Sequence, residues 1–247
     1  MKIIEYGKEN MEAIILLHGG GLSWWNFRAE AELLKNRFHV LLPVLDGHAD
    51  SDEDFIDIES NAQEIIRYID KNFNGNVLLI GGLSLGAQIL LEILSQRKDI
   101  CRYAIVESAL VKPSKLTALM ISPMLTISYG LVKQAWFSKI QFRSLKLNKA
   151  FYEDYYKDTC KITKANMISL LKANSNFRLT PRIKEVSAKV LILVGGKEQP
   201  RMKNSAIEIN GMFLNSRLAI LDGYYHGDLS INHPDIYVRM IDELVKG

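Results

Sequence analysis

The chain has 247 residues, of which 48% are hydrophobic and 24% are charged, and its formal net charge at pH 7 is +3. This length and apolar content allow a large core, and they fit one α/β domain or such a domain with an insertion. The lysines and arginines are dispersed, so the sequence lacks the basic patch that binds nucleic acid or an acidic membrane surface, and we expect no nucleic-acid partner.

The cysteines and the first residues bear on the cellular compartment. Cys101 and Cys160 are far apart, which gives neither a disulfide framework nor a metal-ligand spacing. The start of the chain lacks the long apolar stretch of a signal peptide. We therefore expect a cytoplasmic protein with two free thiols. Because no cluster of His, Cys and carboxylate residues has a metal-ligand spacing, we expect no metal, and we also expect no organic cofactor.

Short β-like runs alternate along the chain with amphipathic stretches of helical length. The predicted strands are 13–17, 40–44, 77–80, 102–106, 189–194 and 217–221. The predicted helices are 26–36, 58–72, 84–96, 203–215 and 234–246. This alternation predicts an α/β fold whose mostly parallel, doubly wound sheet has about six to seven strands with helices on both faces.

A glycine-rich turn, His18-Gly19-Gly20-Gly21, directly follows the first of these strands. It lies at the carboxyl edge of the sheet, where open α/β sheets bind ligands. A turn of this kind could bind phosphate, but no Lys-Ser/Thr follows it and no GxGxxG is present. We expect its backbone N–H groups to face a substrate, with Gly20 as a hydrogen-bond donor and Gly21 beside the substrate. We expect His18 to bond local backbone.

The sequence Gly82-Leu83-Ser84-Leu85-Gly86 joins a predicted strand to a predicted helix. A serine in such a turn adopts a strained conformation that exposes its hydroxyl, and the flanking glycines let strand and helix approach. The alternative is a tight connection in which Ser84 only caps the helix. If Ser84 attacks a carbonyl, the N–H groups of Gly20 and Leu85 are the predicted donors to the oxyanion.

The alternation breaks between residues 111 and 180, where no strand pattern is clear. We predict a helical lid there, inserted into a core domain formed by residues 1–110 and 181–247. Residues 116–132 are uncharged, but they are short for a membrane span and contain Pro123 and Gly130. We expect no membrane span, and instead one or two short helices that face the core and the substrate. Met120 and Met124 are the candidate substrate contacts, with core packing as the alternative.

A serine nucleophile needs an imidazole base and a carboxylate that orients the imidazole. His226 follows the last predicted strand and is flanked by Gly227, whereas His233 adjoins Pro234 at a predicted helix start. His39 and His48 precede the turn that carries Ser84. We therefore predict His226 as the base.

Glu198 is the predicted carboxylate, because it comes just after the strand predicted at 189–194. Asp222 and Asp228 are the alternatives. Asp222 would have to reach the imidazole from the same short loop as His226, which is geometrically awkward.

The His-Gly-Gly-Gly turn, the Gly-x-Ser-x-Gly motif, Glu198 and the late His226-Gly227 resemble, in this order, the α/β-hydrolase superfamily. The resemblance covers almost the whole chain. It implies that Ser84 attacks an acyl carbon, that His226 transfers the proton and that Glu198 holds the imidazole. The expected reaction is the hydrolysis of a small to medium apolar carboxylic ester or thioester. The alternative is a ligand receptor or partner-binding protein with slow or no turnover.

Overall fold

The computed structural model describes residues 1–246, and its central element is one seven-stranded sheet. The strands are β1 (Ile3–Tyr6), β2 (Ala13–Leu17), β3 (His39–Pro43), β4 (Val77–Leu83), β5 (Cys101–Glu107), β6 (Lys189–Gly195) and β7 (Ser216–Leu221). Their order across the sheet is β1-β3-β2-β4-β5-β6-β7. Only the β1–β3 pair is antiparallel in the described chain. The predicted mostly parallel sheet is confirmed.

Helices flank the sheet and fill residues 111–180. They are α1 (Arg28–Leu34), α2 (Ile58–Asn72), α3 (Leu85–Gln96), α4 (Lys115–Val132), α5 (Ala135–Ser144), α6 (Tyr152–Lys161), α7 (Lys164–Asn176), α8 (Pro200–Met212), α9 (Asp228–Asn232) and α10 (Pro234–Lys246). The helix predicted at 26–36 is a 3-10 turn followed by the shorter α1. The helix predicted at 203–215 begins earlier, because Pro200 occupies its first turn, where no backbone donor is needed.

Alternate residues of the central strands pack into two different hydrophobic clusters. In β2, Ile15 and Leu17 contact the cluster that includes α2 and α3, whereas Ile14 and Leu16 contact the cluster that includes α1 and α10. This follows from the twofold alternation of side chains along a strand. Because both faces are covered, the central strands are almost wholly apolar, and the sheet is doubly wound as predicted.

Residues 111–180, all of them described, contain α4 to α7 and no strand. Three buried hydrogen bonds attach this segment to the rest of the chain, one of them from the Val111 N–H to Ser205 Oγ at 3.2 Å. The indole N–H of Trp25 donates to Asp158 Oδ2 at 2.9 Å, and the backbone N–H of Phe55 donates to Asn166 Oδ1 at 3.0 Å. Because leaving a buried polar group without a partner is costly, these bonds favour one position of the segment on the rest of the protein.

Helix α4 differs from the expected one or two short, inward-facing helices. It is continuous through Pro123, and Leu119 and Ile127 are 71% and 86% exposed. Its mean hydropathy is 1.3 and 11% of it is buried, so by length and composition alone it could cross a membrane. The apolar side chains of α4 itself are distributed over nearly its whole circumference, so the sequence does not specify which face of the helix packs on the core.

The two cysteines form no disulfide with one another. Cys101 begins β5 and is fully buried, and burial raises the pKa of its thiol to about 12. Cys160 is partly exposed on α6. The thiols therefore differ in solvent access.

Candidate active site

Ser84 occupies a strained turn between β4 and α3. Its φ and ψ are 52° and −109°, and its N–H donates to the Glu107 carbonyl at 2.9 Å. A positive φ is unfavourable for a residue with a Cβ, and such strain is concentrated at functional sites. The Ser84 side chain makes no capping hydrogen bond to α3, which argues against a purely capping role.

The glycines on either side of Ser84 are required by close packing. A Cβ on Gly82 would lie 2.5 Å from the Gly86 carbonyl oxygen, and one on Gly86 would overlap the Leu17 carbonyl oxygen. Any larger residue at either position would therefore push α3 away from β2 and β4. The two glycines therefore determine how close α3 packs to the sheet, and so where Ser84 lies relative to the ends of the strands.

His226 and Glu198 form a hydrogen-bonded pair at the same edge of the sheet. His226 Nδ1 donates to Glu198 Oε2 at 2.7 Å, which leaves Nε2 available as a base. The Glu198 side chain is 2% exposed, whereas that of His226 is 42% exposed. In the described chain, Asp222 makes no hydrogen bond to His226, and Asp228 instead accepts from the Tyr225 N–H.

Glu198 remains ionised although it is buried. Ser108 Oγ and the Gly195 N–H donate to Glu198 Oε1 at 2.7 and 2.8 Å. Burial acts to raise the pKa of this carboxyl, but the hydrogen bond and charge of His226, together with these two donors, outweigh it and lower the pKa. The carboxylate can therefore hold the imidazole in one orientation and stabilise its protonated form.

The two predicted oxyanion donors lie close together. A Cβ built on Gly20 would be 3.5 Å from the Leu85 Cβ. Leu85 is the first residue of α3, so its N–H has no partner within the helix, and among residues 1–246 neither N–H has an acceptor. Free N–H groups at a helix N-terminus suit a developing negative charge.

Two buried histidines hold the glycine-rich turn in place. His48 Nε2 accepts from the Gly21 N–H, and His18 Nε2 accepts from the Leu45 N–H, each at 3.1 Å. Their Nδ1 atoms lie against backbone carbonyls, those of Leu45 and Asp46 for His48 and that of Gly19 for His18, so each ring is neutral with its proton on Nδ1. Burial lowers the pKa of His48 to about 4 and that of His18 well below its usual value.

Ser108 and Glu107 belong to the site but were not singled out from the sequence. The buried Glu107 carboxyl accepts from the Ser230 N–H at 3.4 Å, and its other oxygen has no partner in the described chain. Burial raises the pKa of Glu107 to about 7. The signal for both was their position at the carboxyl end of a predicted strand, the edge that also carries Ser84 and Glu198.

Two cavities meet at Ser84. The first, here called the loop cavity, has a volume of about 470 Å³ and is lined by His226, Glu198 and the turn after α5. The second, here called the lid cavity, has a volume of about 320 Å³ and lies between Ser84 and helices α4 to α7. Gly20 lines both cavities.

Of the three residues predicted to contact the substrate, one lines a cavity at Ser84 and two do not. Gly21 lines the lid cavity and has a φ of +77°. Met120 and Met124 are 46% and 61% exposed and line neither cavity, so the structure does not bring them to Ser84. Among residues 1–246, no group of three or more His, Cys, Asp or Glu side chains could hold a metal ion.

Comparison with known proteins gives one family and many similar folds. The family model described as "Alpha/beta hydrolase family" matches residues 14–239. An esterase from Exiguobacterium antarcticum aligns over 99% of this chain and 95% of its own, with a TM-score of 0.83 and 16% identity. No curated protein sequence matches this chain.

Two further structures show how varied the similar proteins are. The enol-lactonase from Burkholderia xenovorans LB400 aligns over 100% of this chain and 96% of its own, with a TM-score of 0.81 and 14% identity. MenH from S. aureus aligns over 99% of this chain and 97% of its own, with a TM-score of 0.77 and 19% identity. Identities this low show a shared fold and leave the reaction to be argued from the site.

Proposed function

Because the chain belongs to the alpha/beta hydrolase family, we propose that it is a serine hydrolase that cleaves carboxylic esters or thioesters of small to medium apolar acyl groups. One observation carries this proposal: strained Ser84 lines the same cavity as the hydrogen-bonded His226–Glu198 pair. The family and the esterases with the same fold support hydrolysis.

The proposed reaction has two steps of acyl transfer. Ser84 Oγ attacks the acyl carbon while His226 Nε2 takes its proton, and the N–H groups of Gly20 and Leu85 stabilise the oxyanion. As the tetrahedral intermediate collapses, His226 gives the proton to the leaving oxygen or sulfur. Water, activated by the same imidazole, then releases the acid from Ser84.

The ionised Glu198 has a specific part in both steps. It fixes the Nδ1–H form of His226 and stabilises the imidazolium that forms when Ser84 loses its proton. Asp222 lies on the loop after β7 without a bond to His226 in the described chain, so we assign it no role.

Covalent labelling with a fluorophosphonate tests the nucleophile. We expect the wild-type protein and Ser95→Ala, a serine on the far part of α3, to be labelled and to hydrolyse para-nitrophenyl hexanoate. Ser84→Ala should lose both properties while keeping its circular dichroism spectrum. A folded wild-type protein that is neither labelled nor active would favour the alternative, a ligand-binding protein without turnover.

A further inference from the structure

The two cavities that meet at Ser84 differ in charge. Among its lining residues, the lid cavity has no charged side chain; apolar groups such as Leu125, Phe137 and Leu170 dominate it. The loop cavity is lined by Lys146, Lys197 and Arg201. A substrate that spans Ser84 therefore meets an uncharged, apolar surface on one side. On the other side it meets a surface that is also largely apolar but that carries three cations.

The cations of the loop cavity are not neutralised by nearby acids. In the described part of the chain, none of the three forms an ion pair. The one carboxylate that lines the cavity, Glu198, is already bonded to His226, Ser108 and the Gly195 N–H. The cavity thus has an unbalanced positive charge.

The three cations converge from separate segments. The Lys146 and Lys197 ammonium groups lie 5.8 and 4.8 Å from the centre of the Tyr225 ring, so one aromatic side chain gathers both. The Arg201 guanidinium is anchored on the Lys112 carbonyl, to which Nε donates at 3.1 Å, and it retains further N–H donors. An anion between like charges would relieve their repulsion.

The backbone at Lys146 is fixed although its side chain is exposed. Its φ is +58°, its N–H donates to the Arg143 carbonyl at 3.2 Å, and its carbonyl accepts from Asn232 Nδ2 at 3.0 Å. These bonds tie the turn after α5 to α9. The ammonium group therefore projects from a defined position beside the loop that carries His226.

The position of His226 decides which part of a substrate enters which cavity. His226 lines the loop cavity and does not line the lid cavity. The imidazole must reach the leaving oxygen or sulfur to protonate it. The leaving group therefore lies in the loop cavity, and the acyl chain lies in the lid cavity.

Building on the proposed serine hydrolase activity, we propose that the loop cavity is a subsite for an anionic leaving group. The substrate class is an ester or thioester of an apolar acid with an alcohol or thiol that carries a carboxylate or phosphate. Ser84 Oγ forms a bond to the acyl carbon, the bond to the leaving oxygen or sulfur breaks, and His226 returns the serine proton to that atom. Water then releases the apolar acid.

Three esters of matched size test this assignment. The first is para-carboxyphenyl hexanoate, whose anion is on the leaving group. The second is para-carbamoylphenyl hexanoate, which is neutral. The third is the para-carbamoylphenyl monoester of hexanedioic acid, whose anion is on the acyl side. The measurement is kcat/KM for each ester with the wild type, Lys197→Met and Lys146→Met, and with Lys184→Met as the control for an exposed lysine outside both cavities.

We expect the wild type to prefer the first ester to the second, and this ratio to fall about fivefold in Lys197→Met and in Lys146→Met, mainly through KM. Added salt should lower the ratio in the wild type, and Lys184→Met should leave it unchanged. A ratio that is the same in all four proteins would overturn the subsite. A lysine-dependent preference for the third ester would overturn the assignment of the two cavities.

The same measurements separate this inference from the activity on which it rests. Hydrolysis of the neutral ester together with labelling of Ser84, but without a lysine-dependent preference, removes only the anionic subsite. Hydrolysis of none of the three esters and no labelling removes the serine hydrolase assignment and the subsite with it.

Discussion

At the scale of single residues, the carboxyl edge of the sheet carries two buried carboxyl groups whose pKa values are shifted in opposite directions. Glu198 has three donors and its pKa is lowered, whereas Glu107 has one long hydrogen bond and its pKa is raised to about 7. Burial acts to raise both values, and for Glu198 the hydrogen bond and charge of His226 and the bonds from Ser108 and Gly195 outweigh it. We therefore expect Glu198 to affect the rate of hydrolysis and Glu107 to affect how stability depends on pH.

Replacing Glu198, the carboxylate that binds His226, should lower catalytic activity far more than replacing Asp222, which lies on the same loop as His226. We expect Glu198→Gln to lower kcat for para-nitrophenyl hexanoate about 10³-fold to 10⁴-fold, because the amide no longer fixes the imidazole. Asp222→Asn should stay within a few fold of wild type. The reverse order of effects would transfer the role to Asp222.

Glu107 should make the protein less stable as the pH rises. Its folded pKa of about 7 lies above the unfolded value of 4.5, so its proton is held more tightly in the native state. Stability from this group is fully present below pH 4.5 and is lost as the pH rises to about 7, by about 3 kcal/mol. Relative to wild type, Glu107→Gln should therefore gain about that much between pH 4.5 and pH 8.

Urea unfolding at both pH values measures this gain. Glu9→Gln, at an exposed position, is the control and should show no pH-dependent difference from wild type. An equal difference at the two pH values in Glu107→Gln would mean that folding does not raise the pKa of Glu107.

At the scale of helices and strands, prediction from the sequence succeeded for the strands that are apolar runs. Six of the seven strands were predicted near their observed bounds. Five of them, β2 to β6, are largely buried, as expected of strands covered on both faces, and the sixth, β7, is apolar although it is only partly buried. The helix α9 was not predicted, since it is short and follows Gly227 in a left-handed conformation. The pairing of Ser108 with Glu198 could not be predicted, because it depends on the side-by-side placement of β5 and β6.

The adjacent helices α4 and α7 allow a comparison of an exposed apolar residue on one helix with a buried one on the other. Ile127 on its outer face is 86% exposed, whereas Leu170 on the neighbouring α7 is 5% exposed. We expect Ile127→Gln to change the free energy of unfolding by less than about 0.5 kcal/mol, and Leu170→Ala to lower it by about 2 to 5 kcal/mol. Urea unfolding measures both, and equal losses would show that the outer face of α4 is covered.

At the scale of the whole molecule, buried histidines oppose the effect of Glu107. The pKa of His48 is about 4 when folded and 6.5 in its usual range, so the unfolded chain binds its proton more readily. Stability from the neutral ring is present above pH 6.5 and is lost as the pH falls to about 4, again by about 3 kcal/mol. The two effects run in opposite directions over nearly the same range of pH.

The His48→Gln variant should reveal this opposition. Its amide oxygen can still accept from the Gly21 N–H, but the group no longer titrates. Relative to wild type, we expect the free energy of unfolding of His48→Gln to fall with rising pH between 4.5 and 7, whereas that of Glu107→Gln rises. Urea unfolding across this range checks the signs, and slopes of the same sign would contradict the assignment.

The contrast between the two thiols provides a built-in attachment point for a spectroscopic probe. A maleimide dye needs a solvent-accessible thiolate, which the buried Cys101 with its raised pKa does not offer. Under native conditions the dye attaches at Cys160 on α6, next to the helix turn that holds Asp158 against Trp25. Fluorescence of a single label, with no engineered cysteine, can therefore follow whether the helices above Ser84 move when a ligand enters.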